Sequence, residues 1–288
     1  MALMQESRNV AVATSLGEDV LVLRHMSATE RLSRLFTYEL EMLSEDGGLN
    51  LDDLLGQNVT VRVERTDVDE SRYFNGFVSR CSNAGNHGQY ARYRATLKPW
   101  LWFLTRTADC RIFQEMTAPD IIKQIFQDHG FSNFKESLFE TYRTWEYCVQ
   151  YRETDFNFVS RLMEQEGIYY YFEHDNGTHT LVLADGYSSH SPISGHEDVP
   201  YFPPDGNLRR ESEHIYDWQL SREVRSGAFA LKDFDFVAPK KELLSRSSTS
   251  RQHAQADFEL YDYPGEYAES GAGDTYARIR MEEQQARY

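Results

Sequence analysis

The sequence predicts a mainly β protein of the α+β class, in which a small antiparallel barrel or sandwich is followed by an α/β insertion and then by further strands. Three observations predict it. Apolar and polar residues alternate over much of the first hundred residues, helical spacing begins at Thr117, and strand patterns return after the second helix. Aromatic residues make up 14% of the 288 residues, which favours strands because rings pack well on half-buried sheet faces.

Three segments show the period-two pattern of a half-buried strand: FTYELEML, VTVRVE and ARYRATL. The residues expected on their buried faces are Phe36, Tyr38, Leu40, Met42, Val59, Val61, Val63, Ala91, Tyr93, Ala95 and Leu97. Polar and glycine-rich clusters at 45–48, 67–71 and 83–88 predict the turns that separate the strands. Several short strands within so few residues indicate a small barrel or sandwich.

Two helices are predicted between 117 and 167. The first has Thr117 as its N-cap, with Asp120 three residues later, and it ends at Gly130. Its apolar stripe is Ile121, Ile122, Ile125 and Phe126. The second is capped by Thr154 or Asp155 and stops at Gly167. Its apolar stripe is Phe158, Val159, Leu162 and Met163.

The segment after the second helix predicts a β-hairpin that turns at Asn176-Gly177, because Asn-Gly tolerates the positive φ angles of a tight turn. A loop rich in Ser, Gly and Pro follows, from Gly186 to about Gly206. Strands are then expected in HIYDWQL and GAFALKDFDF, the second with a bulge near Lys232, and a helix from Asp274. These patterns divide the chain into 1–105, 106–198 and 199–288.

Charge and cysteine content exclude several classes of protein. A net charge of -16 repels a phosphate backbone, so nucleic acid is not an expected partner. Cys81, Cys110 and Cys148 are odd in number and far apart, and we expect three buried or half-buried thiols rather than disulfides or a zinc site. The first twenty residues lack the pattern of a signal peptide, so we expect synthesis in the cytosol.

The residues that could carry chemistry give no convincing active site. Ser188, His190 and His196 lie in one loop, which lacks the G-x-S-x-G elbow that a serine hydrolase needs. His174 and Asp175 precede the hairpin turn, with no metal ligand spaced nearby, and we interpret them as turn polarity. We therefore predict no catalytic residue, no cofactor-binding residue and no metal ligand.

Two further residue pairs suit a carbohydrate site only weakly. Glu164 and Glu166 could be a glycosidase pair, but paired carboxylates are common in so acidic a chain. Trp100 and Trp102 could stack on sugars, but their apolar neighbours favour a place in the core.

Three stretches carry a family resemblance. They are LFTYELEMLSEDGGLNLDDLLGQNVTVRV, the segment from FNGFVSRC through YRATLKPWLWFLTRTADCRIFQ to APDIIKQIFQDHGF, and EYCVQYRETDFNFVSRLMEQEGIYYYFEH. In this order and spacing, and with the DYPGEY loop at 262–267, they resemble the N-terminal, phage-baseplate-hub-like region of the VgrG (valine-glycine repeat) spike proteins of type VI secretion.

The resemblance implies two small related barrels, 1–105 and 199–288, with the insertion 106–198 between them. It also implies a homotrimer whose six barrels form a pseudo-sixfold ring, which joins the hexameric Hcp tube and other baseplate components to a needle. The protein would assemble in the cytosol, carry an effector or adaptor, and be secreted through the machine. Because the sequence stops within a helix without a stop signal, we expect a fragment whose second barrel is incomplete.

Two alternatives remain open at this point. One is a carbohydrate-binding or hydrolytic module, motivated by the aromatic residues and carboxylates. The other is an adaptor that carries a toxin without contacting the tube.

Overall fold

The computed structural model describes residues 4–6, 8–64, 71–192, 198–203, 214–249 and 251–286. It confirms a mainly β chain with few helices. The chain divides into two compact units, Met1–Glu164 with Ile168–Ser189, and Gln165–Gly167 with His190–Tyr288. None of the helices in the described ranges is long and apolar enough to cross a membrane.

The first unit begins with a six-stranded antiparallel sheet in the order β1-β4-β5-β6-β3-β2. Its strands are β1 Val10–Ala13, β2 Val22–Thr29, β3 Thr37–Ser44, β4 Asn58–Glu64, β5 Ser71–His87 and β6 Tyr90–Lys98. The predicted alternation is confirmed in β3 and β6, where every residue expected on the inner face is buried. In β4, Thr60 is also buried and Val63 only half-buried. The strand β5 continues to His87, so the turn predicted at 83–88 is shorter than expected. The turn predicted at 67–71 lies mostly outside the described residues.

The curled sheet brings its two edge strands, β1 and β2, close together without a backbone ladder between them. The buried Gln5 amide joins them instead. Its Nε2 donates to the carbonyl oxygens of Val12 (3.1 Å) and Leu21 (3.3 Å). Its Oε1 accepts from the backbone N–H groups of Val12 (2.8 Å) and Leu23 (3.3 Å). One side chain therefore satisfies backbone groups on both edges.

The rest of the first unit combines short strands with both predicted helices. Its elements are β7 Ala108–Phe113, β8 Met116–Thr117, α1 Ala118–Asp128, β9 Phe134–Ser137, β10 Thr144–Trp145, β11 Cys148–Thr154, α2 Asp155–Glu166, β12 Tyr169–Asp175 and β13 Thr178–Ala184. Strands β12, β13 and β9 form one sheet, while β8 pairs with β10 and β7 with β11. A 3₁₀ helix, Trp100–Thr105, follows Pro99.

The helix caps follow the sequence prediction. Thr117 Oγ1 accepts from the N–H of Asp120 at 3.3 Å, and Thr154 Oγ1 accepts from the N–H of Asn157 at 3.1 Å. Both predicted apolar stripes are buried in one core. The hairpin turn differs, because only Gly177 has a positive φ, of 80°, so the turn is not of the type that needs two such residues.

The second unit contains a three-stranded sheet in the order β15-β14-β16 and one long helix. Its elements are β14 Ala228–Lys232, β15 Leu244–Ser248, β16 Glu259–Asp262 and α3 Ser270–Gln285. The core contains Phe229, Leu231, Leu243, Tyr267, Tyr276, Ala277 and Met281. The Tyr267 hydroxyl lies within hydrogen-bonding distance of the carbonyl oxygens of Leu231 (3.0 Å) and Leu243 (2.6 Å), which ties α3's neighbouring loop to the sheet.

Two strand predictions in the second unit were wrong. HIYDWQL forms no strand beyond a bridge between Ile215 and Tyr201, and β14 ends before the predicted Phe234 and Phe236. Trp218 is 63% exposed and Phe236 is 84% exposed. The alternation in these segments finds no sheet partner among the described residues, and an unpaired strand is not stable alone.

Candidate interaction surface

Two buried polar networks hold the first unit together, and the first is centred on His179 in β13. Trp100 N–H donates to His179 Nε2 at 3.0 Å, so Nδ1 carries the proton and donates to Asn75 Oδ1 at 2.7 Å. The imidazole is 2% exposed, and burial lowers the pKa of His179 to about 3. His179 is therefore a neutral, structural group.

His174 in β12 extends this network to the curled sheet. Its Nδ1 accepts from the N–H of Asn75 at 3.1 Å, and its Nε2 lies 3.0 Å from the Tyr38 hydroxyl, which itself donates to Glu30. Burial lowers the pKa of His174, although the charge of Glu30 opposes this. The interpretation of His174 as turn polarity was wrong: its side chain is only 8% exposed, because the ring packs against Tyr38 of β3 and Phe74 of β5.

The second network surrounds Asp155 at the start of α2, which is 2% exposed. Its carboxylate accepts from Gln150 Nε2 (2.6 Å), Thr107 Oγ1 (2.7 Å), Arg111 Nη2 (3.0 Å) and His129 Nε2 (2.7 Å). Burial would raise the pKa of Asp155, but these donors outweigh it and the pKa lies below its usual value. The carboxylate thus joins the β7–β11 pair to the ends of both helices.

The loop that could have carried a hydrolase site does not place Ser188 on a nucleophile elbow. Ser188 is exposed in a short 3₁₀ turn, Tyr187–Ser189, rather than on a strand-to-helix elbow. His190 is exposed, and His196 lies outside the described residues. Among the residues that the structure describes, no group of three His, Cys, Asp or Glu side chains is arranged to hold a metal ion.

In each of the two residue pairs considered for a carbohydrate site, the two members differ in exposure. Glu164 is exposed, whereas Glu166 is 8% exposed and accepts from the Tyr276 hydroxyl at 2.9 Å. Trp100 is buried, as predicted. Trp102 is half-buried, with the Arg106 guanidinium 4.7 Å from its ring centroid.

The cysteines differ from the prediction at one position. Cys148 is buried and Cys81 half-buried, but Cys110 is exposed. The reason is its position in β7, where it shares the outward face with Ile112 rather than the inward face with Phe113.

The outward side of the β7–β11 pair carries a patch of apolar side chains, which we call the ribbon face. It consists of Cys110, Ile112, Val149 and Tyr151, with Val149 opposite Ile112 and Tyr151 opposite Cys110. The guanidinium of Arg152 lies 5.2 Å from the ring centroid of Tyr151, which belongs to this patch. Ile112 is 57% and Tyr151 is 64% exposed. On the inward side, Phe113, Cys148 and Gln150 are buried. Contiguous exposed apolar residues on a sheet typically mark a contact with another molecule.

Comparison with known families and proteins gives a consistent result. Residues 29–288 match the phage tail baseplate hub (GPD) family. The whole chain is 53% identical to type VI secretion system spike protein VgrG1b of Pseudomonas aeruginosa, covering 39% of it. It is 52% identical over 285 residues to VgrG1a of the same organism, covering 44% of that protein. The chain thus spans about two-fifths of the length of these relatives.

Solved structures show the same fold. The E. coli c3393 protein is a type VI secretion component with structural similarity to the T4 bacteriophage tail proteins gp27 and gp5. It superimposes with a TM-score of 0.52 at 26% identity, over 64% of this chain and 52% of that one. A tail protein from Neisseria meningitidis superimposes with a TM-score of 0.62 at 13% identity, over 96% of this chain and 77% of that one.

Proposed function

Because this chain belongs to the phage tail baseplate hub family, we propose that it is the hub part of a type VI secretion spike. The observation that carries the proposal is the 53% identity to a spike protein along the entire chain. In this function the chain is a structural component, without catalysis, that is secreted with the spike.

We propose that 1–105 and 199–288 are two related barrels and 106–198 an insertion. The curled sheet bridged by Gln5 supports the first barrel. The second is supported by the exposed alternating residues Tyr216, Trp218 and Leu220, which suit a strand that is paired and covered in the assembled spike.

In the spike, three copies would place six barrels in a ring that joins the Hcp tube to the needle. We assign the ribbon face to the contact between copies. Its four side chains carry no charge, so a contact between copies at this face would not place two acidic side chains against each other. The described chain alone is expected to be a monomer or a weak oligomer that strengthens with salt.

A hybrid spike tests this function. The chain replaces the matching region of VgrG1b in a bacterium with an active type VI machine, and release of the tube protein into the medium is measured. We expect release close to that of the unmodified strain. A hybrid that is soluble and present at normal levels but supports no release would refute the proposal.

The ribbon face has its own test in the same hybrid. Tyr151→Arg should weaken assembly, whereas Tyr187→Arg, at another exposed tyrosine, should not. Maleimide labelling of Cys110 should be fast in the isolated chain and slow in the assembled hybrid. Equal labelling rates in the two would show that copies meet elsewhere.

The absence of catalysis is tested with purified chain and ester, glycan and nucleic-acid substrates. No turnover is expected. Turnover that is lost in Ser188→Ala would instead favour the hydrolytic alternative.

A further inference from the structure

The first unit contains a cleft of about 430 Å³ between α2, the start of β12 and the loop before β3. Its apolar lining consists of Leu35, Phe156, Met163 and Ile168. The polar lining consists of Ser33, Arg34, Ser160, Glu164 and Tyr170. The volume lies in the range typical of small-ligand sites, which is roughly 300–1,000 Å³.

The hydroxyl of Tyr170 is the polar group in the cleft that most needs a hydrogen-bond partner. The side chain is 3% exposed, and its hydroxyl has no hydrogen-bond partner among the described residues. A buried hydroxyl without a partner is unfavourable, and few native structures retain one without a reason. The backbone of Tyr170 is fixed, because Ser33 N–H donates to its carbonyl oxygen at 2.8 Å.

Arg34 supplies a positive charge at the same cleft. It is exposed, and no ion pair involves it within the described part of the chain. Arg34 and Tyr170 line the same cleft, and the charge of Arg34 opposes the rise that burial causes in the pKa of the Tyr170 phenol. Glu164 is exposed at the other side of the cleft and would disfavour an anion.

We propose that this cleft binds an aliphatic carboxylate, whose alkyl part covers the apolar lining while its oxygens accept from Tyr170 and pair with Arg34. A carboxylate is the acceptor that satisfies a hydroxyl and a guanidinium together. A free fatty acid and the terminal carboxylate of an apolar peptide share this chemistry. The site is independent of the assembly proposed above.

The test uses hexanoate as the probe and the methyl signal of Met163 in protein labelled with ¹³C-methyl methionine. Hexanoate should shift this signal saturably, and 1-hexanol should bind more weakly. Tyr170→Phe should weaken hexanoate binding about tenfold, which is the effect of losing a hydrogen bond to a charged group. A titration that leaves the Met163 signal unchanged would overturn the proposal.

Variants that change the charge of the lining distinguish recognition of the carboxylate from nonspecific apolar binding. Arg34→Gln should remove the preference for hexanoate over 1-hexanol, and Glu164→Gln should strengthen hexanoate binding. Arg31→Gln is the matched control, because Arg31 is exposed in the same loop but does not line the cleft. Hexanoate binding that is indifferent to Arg34→Gln and Tyr170→Phe would refute the proposed recognition.

Two further measurements complete the design. Without ligand, Tyr170→Phe should raise the denaturation midpoint, since it removes an unpartnered hydroxyl; a lower midpoint would show that the hydroxyl already has a partner and would refute the premise. N-acetyl-Leu-Leu and its C-terminal amide then identify the source. Tighter binding of the peptide acid than of hexanoate indicates a protein terminus, and the opposite indicates a fatty acid. A peptide amide that binds as tightly as the peptide acid would contradict recognition of a carboxylate.

Discussion

Acidification should destabilise the first unit through His179, and the structure gives the magnitude. The pKa of His179 is lowered to about 3 in the folded protein by burial, whereas an unfolded histidine titrates near ~6.5. Between these two pKa values, His179 is therefore protonated in the unfolded chain and neutral in the folded chain. Stability is fully present above pH ~6.5 and is lost as the pH falls towards the folded pKa.

The size of the loss follows from the linkage relation. Each pH unit below the unfolded pKa costs about 1.4 kcal/mol, so His179 alone should cost about 2 kcal/mol at pH ~5. His174 adds to the same trend because its pKa is also lowered by burial. About 2 kcal/mol is measurable against the roughly 5–15 kcal/mol by which most domains are stable.

The informative variant is His179→Gln. A glutamine amide can donate to Asn75 Oδ1 and accept from the N–H of Trp100, as the neutral imidazole does, but it does not titrate. Urea unfolding of the intact chain, followed by the fluorescence of buried Trp100 and its neighbours, gives the free energy at several pH values. The variant should lose less stability than the wild type between pH ~7.5 and ~5. Parallel curves for the two proteins would refute the assignment of the proton to His179.

Three other perturbations have predicted outcomes. A Cβ at Gly273 would lie 2.4 Å from Tyr267 Cε2, so Gly273→Ala should destabilise the second unit by about 1–3 kcal/mol. Gly271→Ala has open space and should be neutral or stabilising, and thermal unfolding of the two variants checks the difference. Leu162→Asp places an unpaired carboxylate in the core and should cost about 4 kcal/mol or more, detectable as loss of soluble protein; an unchanged melting temperature would contradict burial of this helix face. Asp155→Asn should cost about 1.5–3 kcal/mol in urea unfolding because the donors around Asp155 lose a charged acceptor, although Arg111 keeps two other carboxylates nearby; a cost near zero would show that the network does not stabilise the fold.

Local patterns predicted the elements whose stability is local. The caps at Thr117 and Thr154 and the stripes of α1 and α2 depend on residues within one or two turns of each other. The alternation of β3 and β6 was equally readable, because the two strands are neighbours and bury the same face.

The polar networks could not be read in this way. His179 and Asn75 are 104 residues apart in sequence, and neither position differs locally from an exposed polar residue in a strand. The one available signal is that His179 is in phase with the apolar residues Leu181 and Leu183 in the strand THTLVLA, so its side chain faces inward with theirs. In the second unit, the strand prediction for HIYDWQL was wrong although its local pattern is that of a strand. Whether a strand forms also depends on its pairing partners, which the local pattern does not show.

The bridge made by Gln5 has a practical consequence for anyone who shortens or tags this protein. Deleting the first few residues would look harmless in the sequence, yet it would remove the groups that satisfy Val12, Leu21 and Leu23. Two strand edges would then be left with free donors and acceptors, which is the usual template for intermolecular β pairing and precipitation. A purification tag at the N-terminus of the isolated chain should therefore leave Gln5 in place, or the tag should be attached at the C-terminus.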